Sequence, residues 1–187
     1  MLVEFPFFAA GINYFPSEIS VLKVFEPRYL LLIADVISSN GSFAVGKNLE
    51  SKNQVISEVK ILDYKDIDNA EQIVVIESKK LFNAKNIKLN YEYPIVESEE
   101  FINIGIPPTE DEIKQLEKNI TSKIAKLIEK GLDMNLPNFM DNYESRINKT
   151  WDLCINSPLN FEIREIILNE KDVMKRYLIL KNYIDNI

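Results

Sequence analysis

The sequence predicts an α+β chain: a small barrel-like sheet with one inserted helix, followed by a C-terminal helical bundle. Three observations predict it. Short apolar runs with period-two alternation fill residues 1 to about 105. A single stripe of period 3.6 interrupts them after Pro27. Beyond Pro107-Pro108 the period changes to 3.6 and stays there. A doubly wound sheet would need many more helices between its strands. The expected division is a β lobe over 1–106 and a helical lobe over 107–187.

The elements follow in order. Ile12–Phe15 and Ile19–Val24 read as strands, separated by Pro16-Ser17-Glu18. A helix then starts at Pro27, whose missing N–H would be unpaired at that position anyway. Glu26 sets a negative charge at the positive end of the dipole. Leu30, Ile33, Ala34 and Ile37 form its expected buried face, and Gly41 is available for a left-handed C-cap. Phe43–Gly46 and Val55–Leu62 read as strands. A polar turn, Lys65-Asp66-Ile67-Asp68-Asn69, leads into a strand over Gln72–Ile76. Residues 80–96 form a further extended segment, in which Ile87, Leu89, Tyr91 and Tyr93 alternate with polar residues.

In the second half, Thr109 and Glu112 have capping-box spacing. Ile113, Leu116, Ile120, Ile124, Leu127 and Ile128 give an amphipathic helix that Gly131 ends. Phe139, Met140, Tyr143, Ile147, Trp151 and Cys154 continue at helical spacing as far as Ser157-Pro158. Phe161 to Leu168 make a short third helix. Asn169 can cap a fourth, with Val173, Tyr177, Leu180 and Ile184 on its apolar side and Glu170 and Asp172 in its first turn.

Composition narrows the chemistry. The 187 residues are 46% hydrophobic and 27% charged, which suits a globular chain with a real core. No apolar run approaches the ~20 residues of a membrane span. The N-terminus lacks a basic segment and carries Glu4 and Pro6 early, unlike a signal peptide. The single cysteine, Cys154, permits no internal disulfide, sits in an apolar helical pattern as a buried thiol, and fits a cytoplasmic setting. With no histidine, the commonest general base and His-containing zinc sites are excluded. A net charge of −7 argues against sequence-independent nucleic-acid binding. The five glycines form no phosphate-cradling loop.

Several clusters have plainer readings than the chemistry they suggest. Asp63, Asp66, Asp68 and Asn69 lack the glycine and terminal glutamate of a calcium loop and read as a solvated hairpin turn. Glu97 to Glu100 read as a connecting segment, and Glu110-Asp111-Glu112 as the acidic first turn of a helix. Ser78-Lys79 and Ser122-Lys123 are adjacent pairs, whereas a catalytic dyad is defined by geometry. Lys79 and Lys80 with Phe82, Tyr91 and Tyr93 would suit a basic stacking surface, but the acidic total favours aromatics in a β core beside solvated lysines. No catalytic residue, cofactor site or metal site is expected.

One composite pattern is more specific. Phe5-Pro6-Phe7-Phe8 is followed by Tyr14-Phe15-Pro16 and then by Val21-Leu22-Lys23-Val24-Phe25-Glu26-Pro27-Arg28-Tyr29. This resembles the N-terminal domain of Lon proteases, whose pattern ends in the same Phe-Glu-Pro-Arg-Tyr. Phe43-Ala44-Val45-Gly46 and Ser78 to Phe82 resemble later segments of that domain, and Lys175-Arg176-Tyr177-Leu178 its helical tail. Ser17 stands where the family pattern has glycine. The chain carries no counterpart of the Lon ATPase or Ser–Lys protease domain.

The resemblance implies a PUA-like β lobe followed by helices, acting as a stand-alone, non-catalytic protein- or peptide-binding module in protein quality control. The implied partners are unfolded or extended protein segments, or a protease or chaperone. An exposed apolar patch would also suit a homodimer. The alternatives are an RNA-binding PUA-like protein and, further off, a small hydrolase. The family-signature residues are Phe15, Pro16, Phe25, Glu26, Pro27, Arg28 and Tyr29. Phe25 and Tyr29 are expected to pack. Arg28 is expected to pair with a carboxylate that locks the helix onto the sheet, the alternative being that it faces a partner.

Overall fold

The computed structural model describes residues 1–50, 52–67 and 70–187. Two compact units appear, Met1–Phe101 and Ile102–Ile187. The first holds β1 (Val3–Ala9), β2 (Ile19–Val24), α1 (Pro27–Ser39), β3 (Phe43–Gly46), β4 (Val55–Ile67), β5 (Glu71–Lys88) and β6 (Ile95–Glu100). The second holds α2 (Glu110–Glu129), α3 (Arg146–Ile155), α4 (Phe161–Asn169) and α5 (Val173–Asn186). None of the described helices is long and apolar enough to cross a membrane.

The sheet runs β2-β5-β4-β3-β1-β6, and β6 pairs back onto β5. Five strands thus form a closed ring, with β2 attached to its outside. Long β5 makes this closure possible. Its first half pairs with β2 and its second half with β6, while β4 follows it along most of its length. A β1–β3 pairing is the parallel one, with α1 in the connection between those strands.

Residues alternate between two apolar clusters. Phe8, Leu22, Val24, Phe43, Val45, Val59, Val74 and Ile76 pack with Tyr29, Leu32, Ile33 and Val36 of α1. Phe5, Phe7, Ala44, Ile56, Phe82, Ala84 and Val96 form the other. Each buried aromatic contributes roughly 1.5–3 kcal/mol by removal from water. The Phe7 ring lies against the backbone of Gly46, where a Cβ would stand 2.6 Å from it. Only glycine fits there.

Several details depart from expectation. β1 covers Val3–Ala9, whereas Ile12–Phe15 is irregular. That segment is buried through side-chain bonds in place of a ladder. The Tyr14 N–H donates to Ser57 Oγ at 2.9 Å, Ser57 Oγ donates to Tyr14 O at 2.8 Å, and Asn13 Nδ2 donates to Val55 O at 2.6 Å. The α1 face is Tyr29, Leu32, Ile33 and Val36, so the stripe begins one residue before the expected one. Asn40, not Gly41, takes the left-handed C-cap, and the Gly41 N–H donates to Val36 O.

β4 continues through the acidic stretch to Ile67, so Asp63 and Asp66 are strand residues; Asp68 and Asn69 lie outside the described residues. The alternation around Ile87 ends as a strand at Lys88. Leu89 and Tyr91 are exposed, and β6 starts only after Pro94. Glu97 to Glu100 belong to β6 rather than to a connection.

In the second unit the Thr109–Glu112 capping box is formed. It holds the Glu112 carboxyl below its ordinary range, because backbone and side chain of Thr109 both donate to it. The helix expected from Phe139 is confined to Arg146–Ile155. Phe139, Met140 and Tyr143 instead surround Lys149, whose ammonium lies 5.3 and 5.4 Å from the two rings. Lys149 Nζ donates to Met140 O at 2.6 Å and pairs with Glu117 at 2.6 Å and Asp152 at 2.9 Å. Burial alone would lower its pKa, but the bonds to Asp152 and Glu117 outweigh burial and raise it.

Asp172, rather than Asn169, caps α5, accepting from the N–H groups of Met174 and Lys175. Asn169 is the last residue of α4 and donates to Glu165 O. Arg176 is fully buried on the Trp151 ring at 3.5 Å and donates to Asn103 Oδ1, Thr150 Oγ1 and Glu170 O. Burial pushes its pKa down to about 10. Cys154 is buried and forms no disulfide.

Candidate functional site

A strand at the end of a sheet offers unpaired backbone groups to whatever can add to it. Two such edges exist among the described strands. One is β2, which pairs only with β5. The other is the far half of β4, since β3 pairs only with Ser57, Glu58 and Val59. The β4 edge carries Asp63, Lys65 and Asp66 and a register shift between Ile61 and Asp63. Charges and a bulge are the usual protections of an edge. β2 has one charge, Lys23, and that charge pairs with Glu71 at 2.9 Å.

The geometry of β2 follows from its register. Ile19 faces Glu77, Val21 faces Val75 and Lys23 faces Ile73. The Ser78 N–H donates to Glu18 O at 2.9 Å, so the even-numbered residues turn their backbone groups toward β5. Ile19, Val21 and Lys23 therefore turn theirs to the open side. The same residues point their side chains away from the core, since Leu22 and Val24 are the buried ones. Ile19 is 63% exposed and Val21 57%, and Phe25 beyond the strand is 60% exposed. Val75 and Ile73 continue this face across β5. The result is an open edge with an apolar side.

The signature residues bracket this edge. At its start, the Glu18 N–H donates to Phe15 O at 3.0 Å, closing a turn with Pro16 and Ser17 at its centre. Ser17 has φ 70°, the conformation that the third position of a type II turn requires and glycine prefers. Phe15 is buried and Pro16 half-buried. The Phe15 N–H donates to Glu18 Oε2, and the Ser17 N–H to Ser78 O, so the turn is fixed to β5.

At the other end, Glu26 occupies the N-cap of α1 and Pro27 its first turn. Tyr29 is buried, stacks on Phe8 at a centroid distance of 4.2 Å, and accepts from the Ala9 N–H at 3.3 Å. Phe25 does not pack inward as expected, because β2 alternation turns it outward after buried Val24. Arg28 does not lock the helix to the sheet either. Its guanidinium pairs with Glu26 at 2.8 Å within the same turn, in solvent, and lies 4.7 Å from the Tyr29 ring.

The remaining candidates are engaged elsewhere. Phe82 is buried edge-on to Phe5, Tyr93 donates to Asp35 Oδ2, and Lys79 and Lys80 pair with Glu77 and Glu100. The basic stacking surface is therefore not assembled. Ser78 is buried, while the Lys79 ammonium is held by Glu77. Lys123 donates to the backbone carbonyls of Asp185 and Ile187. A recess of about 200 Å3 lies between α1 and β4, lined by Ile37, Ile61, Leu62 and Tyr64 among others. It is smaller than the ~300–1,000 Å3 of most ligand pockets. Among the described residues, the feature of this unit that best suits a partner is the edge. Sequence reasoning missed Ile19 and Val21 as candidates; the signal was present in a strand of mixed pattern with a single charge.

No family model matches the sequence, and no curated protein matches it. Solved structures do. The crystal structure of a Lon N-terminal domain protein from Xanthomonas campestris aligns with a TM-score of 0.69 at 20% identity, covering 97% of this chain and 98% of that one. The N-terminal domain of the Lon protease of Mycobacterium avium complex aligns with a TM-score of 0.63 at 14% identity, covering 98% and 99%. This chain therefore has the fold of the Lon N-terminal domain along nearly its whole length.

Proposed function

We propose that this protein is a non-catalytic module of the Lon N-terminal type that binds extended protein segments, and that the open edge of β2 is where they bind. The observation that carries the reading is the edge itself. Ile19, Val21 and Lys23 present unpaired backbone groups, and Ile19, Val21 and Phe25 present apolar side chains, on a strand without the protections seen on β4. A segment adding there gains main-chain bonds irrespective of its sequence and apolar contacts at every second residue. That suits a binder of many unfolded chains. The shared fold supports the same reading, since the similar structures are Lon N-terminal domains. The signature residues serve as its frame: Phe15 and Pro16 start the strand, and Glu26, Pro27 and Tyr29 anchor its end.

Fluorescence anisotropy of a labelled peptide alternating valine and threonine, with terminal lysines, tests the reading. Saturable binding at or below ~100 μM is expected, and no change at higher protein concentration would overturn it.

A further inference from the structure

The β2 edge fits a second copy of the same strand. We propose that two copies of this protein pair antiparallel through β2 about a two-fold axis at Val21, and that this self-pairing competes with segment binding. The proposal rests on the reading of β2 as the binding edge. Because Ile19, Val21 and Lys23 turn their backbone groups outward, an antiparallel partner must pair these odd-numbered residues with one another. An axis at Val21 does so over the whole open stretch. Val21 exchanges both its bonds with Val21 of the second copy, and Ile19 exchanges its own with Lys23.

The side chains agree with this register. Val75 and Val21 of one copy continue into Val21 and Val75 of the other, an unbroken apolar row across the seam. Ile19 lies opposite the aliphatic stem of Lys23, whose ammonium Glu71 already neutralises. The two Lys23 residues stand on either side of the axis, about 14 Å apart at ~3.4 Å per residue, beyond the ~8 Å screening length of physiological salt. No like charges are therefore opposed within the ladder. In either bound form, the same backbone groups of Ile19, Val21 and Lys23 are occupied.

Sedimentation velocity of the full chain over a concentration series tests this. A monomer–dimer equilibrium is expected, with dissociation at or below ~100 μM. Val21→Pro removes an outward N–H without touching the β5 ladder, and should weaken the dimer by at least ~10-fold while circular dichroism stays unchanged. Ile19→Lys, which adds a charge beside Lys23, should do the same if Val21→Pro lowers the folded fraction. A chain that stays monomeric at the highest concentration, or a dimer indifferent to both variants, overturns the proposal.

The alternating valine–threonine peptide, added at protein concentrations below and above the dimer midpoint, separates this from the reading beneath it. Weaker apparent binding above the midpoint supports competition, and unchanged binding overturns it. A dimer that forms through β2 without any peptide binding removes the segment-binding reading and leaves the self-pairing standing.

Discussion

The β unit carries its ion pairs at the surface: Lys23 with Glu71, Arg28 with Glu26, Lys80 with Glu100 and Lys85 with Glu99. The helical unit has an exposed pair of its own, Lys181 with Asp185, but it also buries charges. Lys149 and Asp152 pair with side chains each 3% exposed, and Arg176 is wholly enclosed. The difference follows from what each unit must hold. In the β unit a closed ladder fixes nearly every segment, and two apolar clusters fill its faces. In the helical unit, two irregular stretches have no ladder. Residues 132–145 are held by Lys149, through Met140 O and the rings of Phe139 and Tyr143, with Asp152 accepting from the Met140 N–H. The stretch from Ile102 to Gly105 is held by Asn103 on Arg176 and by the Ile104 bridge to Asp172. Buried cations here substitute for missing secondary structure.

Breaking the Lys149 centre should have the largest effect. Lys149→Met leaves Asp152 buried without its cation and frees Met140 O. The expected cost is about 3–5 kcal/mol, read as a lower urea midpoint. Replacing Lys149 and Asp152 together should recover much of the loss, because the penalty lies in the unpaired charge. A single variant that unfolds at the parent's midpoint would show that the centre does not hold the unit. Next comes Arg176→Met. Methionine fills part of the space, but Asn103 Oδ1, Thr150 Oγ1 and Glu170 O lose a donor. A cost of about 1–3 kcal/mol is expected, with faster hydrogen exchange at the Ile104 and Val173 N–H groups.

These centres also mark where the sequence stopped being legible. Closed-ring β structure, the inserted helix and the bundle follow from periodicity, because apolar residues at periods 2 and 3.6 can only be buried one way. Phe139, Met140 and Tyr143 defeat that logic. They keep helical spacing, yet their partner is an ammonium rather than an apolar face, and no pattern marks a buried lysine. Leu89 and Tyr91 fail for a related reason: alternation persists after the strand has lost its neighbour. Pro27 was readable as a helix start because proline has a local reason to be there. The open side of β2 was not, since which strand lies at the edge depends on pairing between residues about fifty positions apart.

Acid should separate the two units in a different way. Glu112 has a folded pKa below its unfolded value of about 4.3. Its contribution is present above that value and is lost as pH falls through the folded one. Lys149 has a raised pKa, so its own contribution is complete below about 10.4 and is lost only as pH rises through the folded value. Glu112→Gln should therefore flatten the loss of helical stability below about pH 4.5, and leave the alkaline limb where it is. An unchanged acid limb in a pH series of thermal melts would contradict the role of the capping box.

At the β2 edge the effects should be small. Ser17 holds a left-handed conformation at φ 70°. Ser17→Gly should stabilise the β unit by up to about 1 kcal/mol by relieving the Cβ contact, less the added freedom of the unfolded chain. A loss of stability would mean that the Ser17 side chain holds the turn.

Arg28→Ala should do least. Its partner Glu26 is two residues away, and the two side chains are 42% and 44% exposed. An exposed pair of this kind is worth about 0.2–1 kcal/mol, and stacking over Tyr29 adds little in solvent. The substitution should leave the urea midpoint nearly unchanged, while Tyr29→Ala, which empties the space against Phe8, should cost several times more. If segment binding falls with Arg28→Ala at constant stability, the guanidinium faces the bound chain. If both are unchanged, Phe-Glu-Pro-Arg-Tyr acts only through Glu26, Pro27 and Tyr29, as the anchor that holds the end of β2 in place.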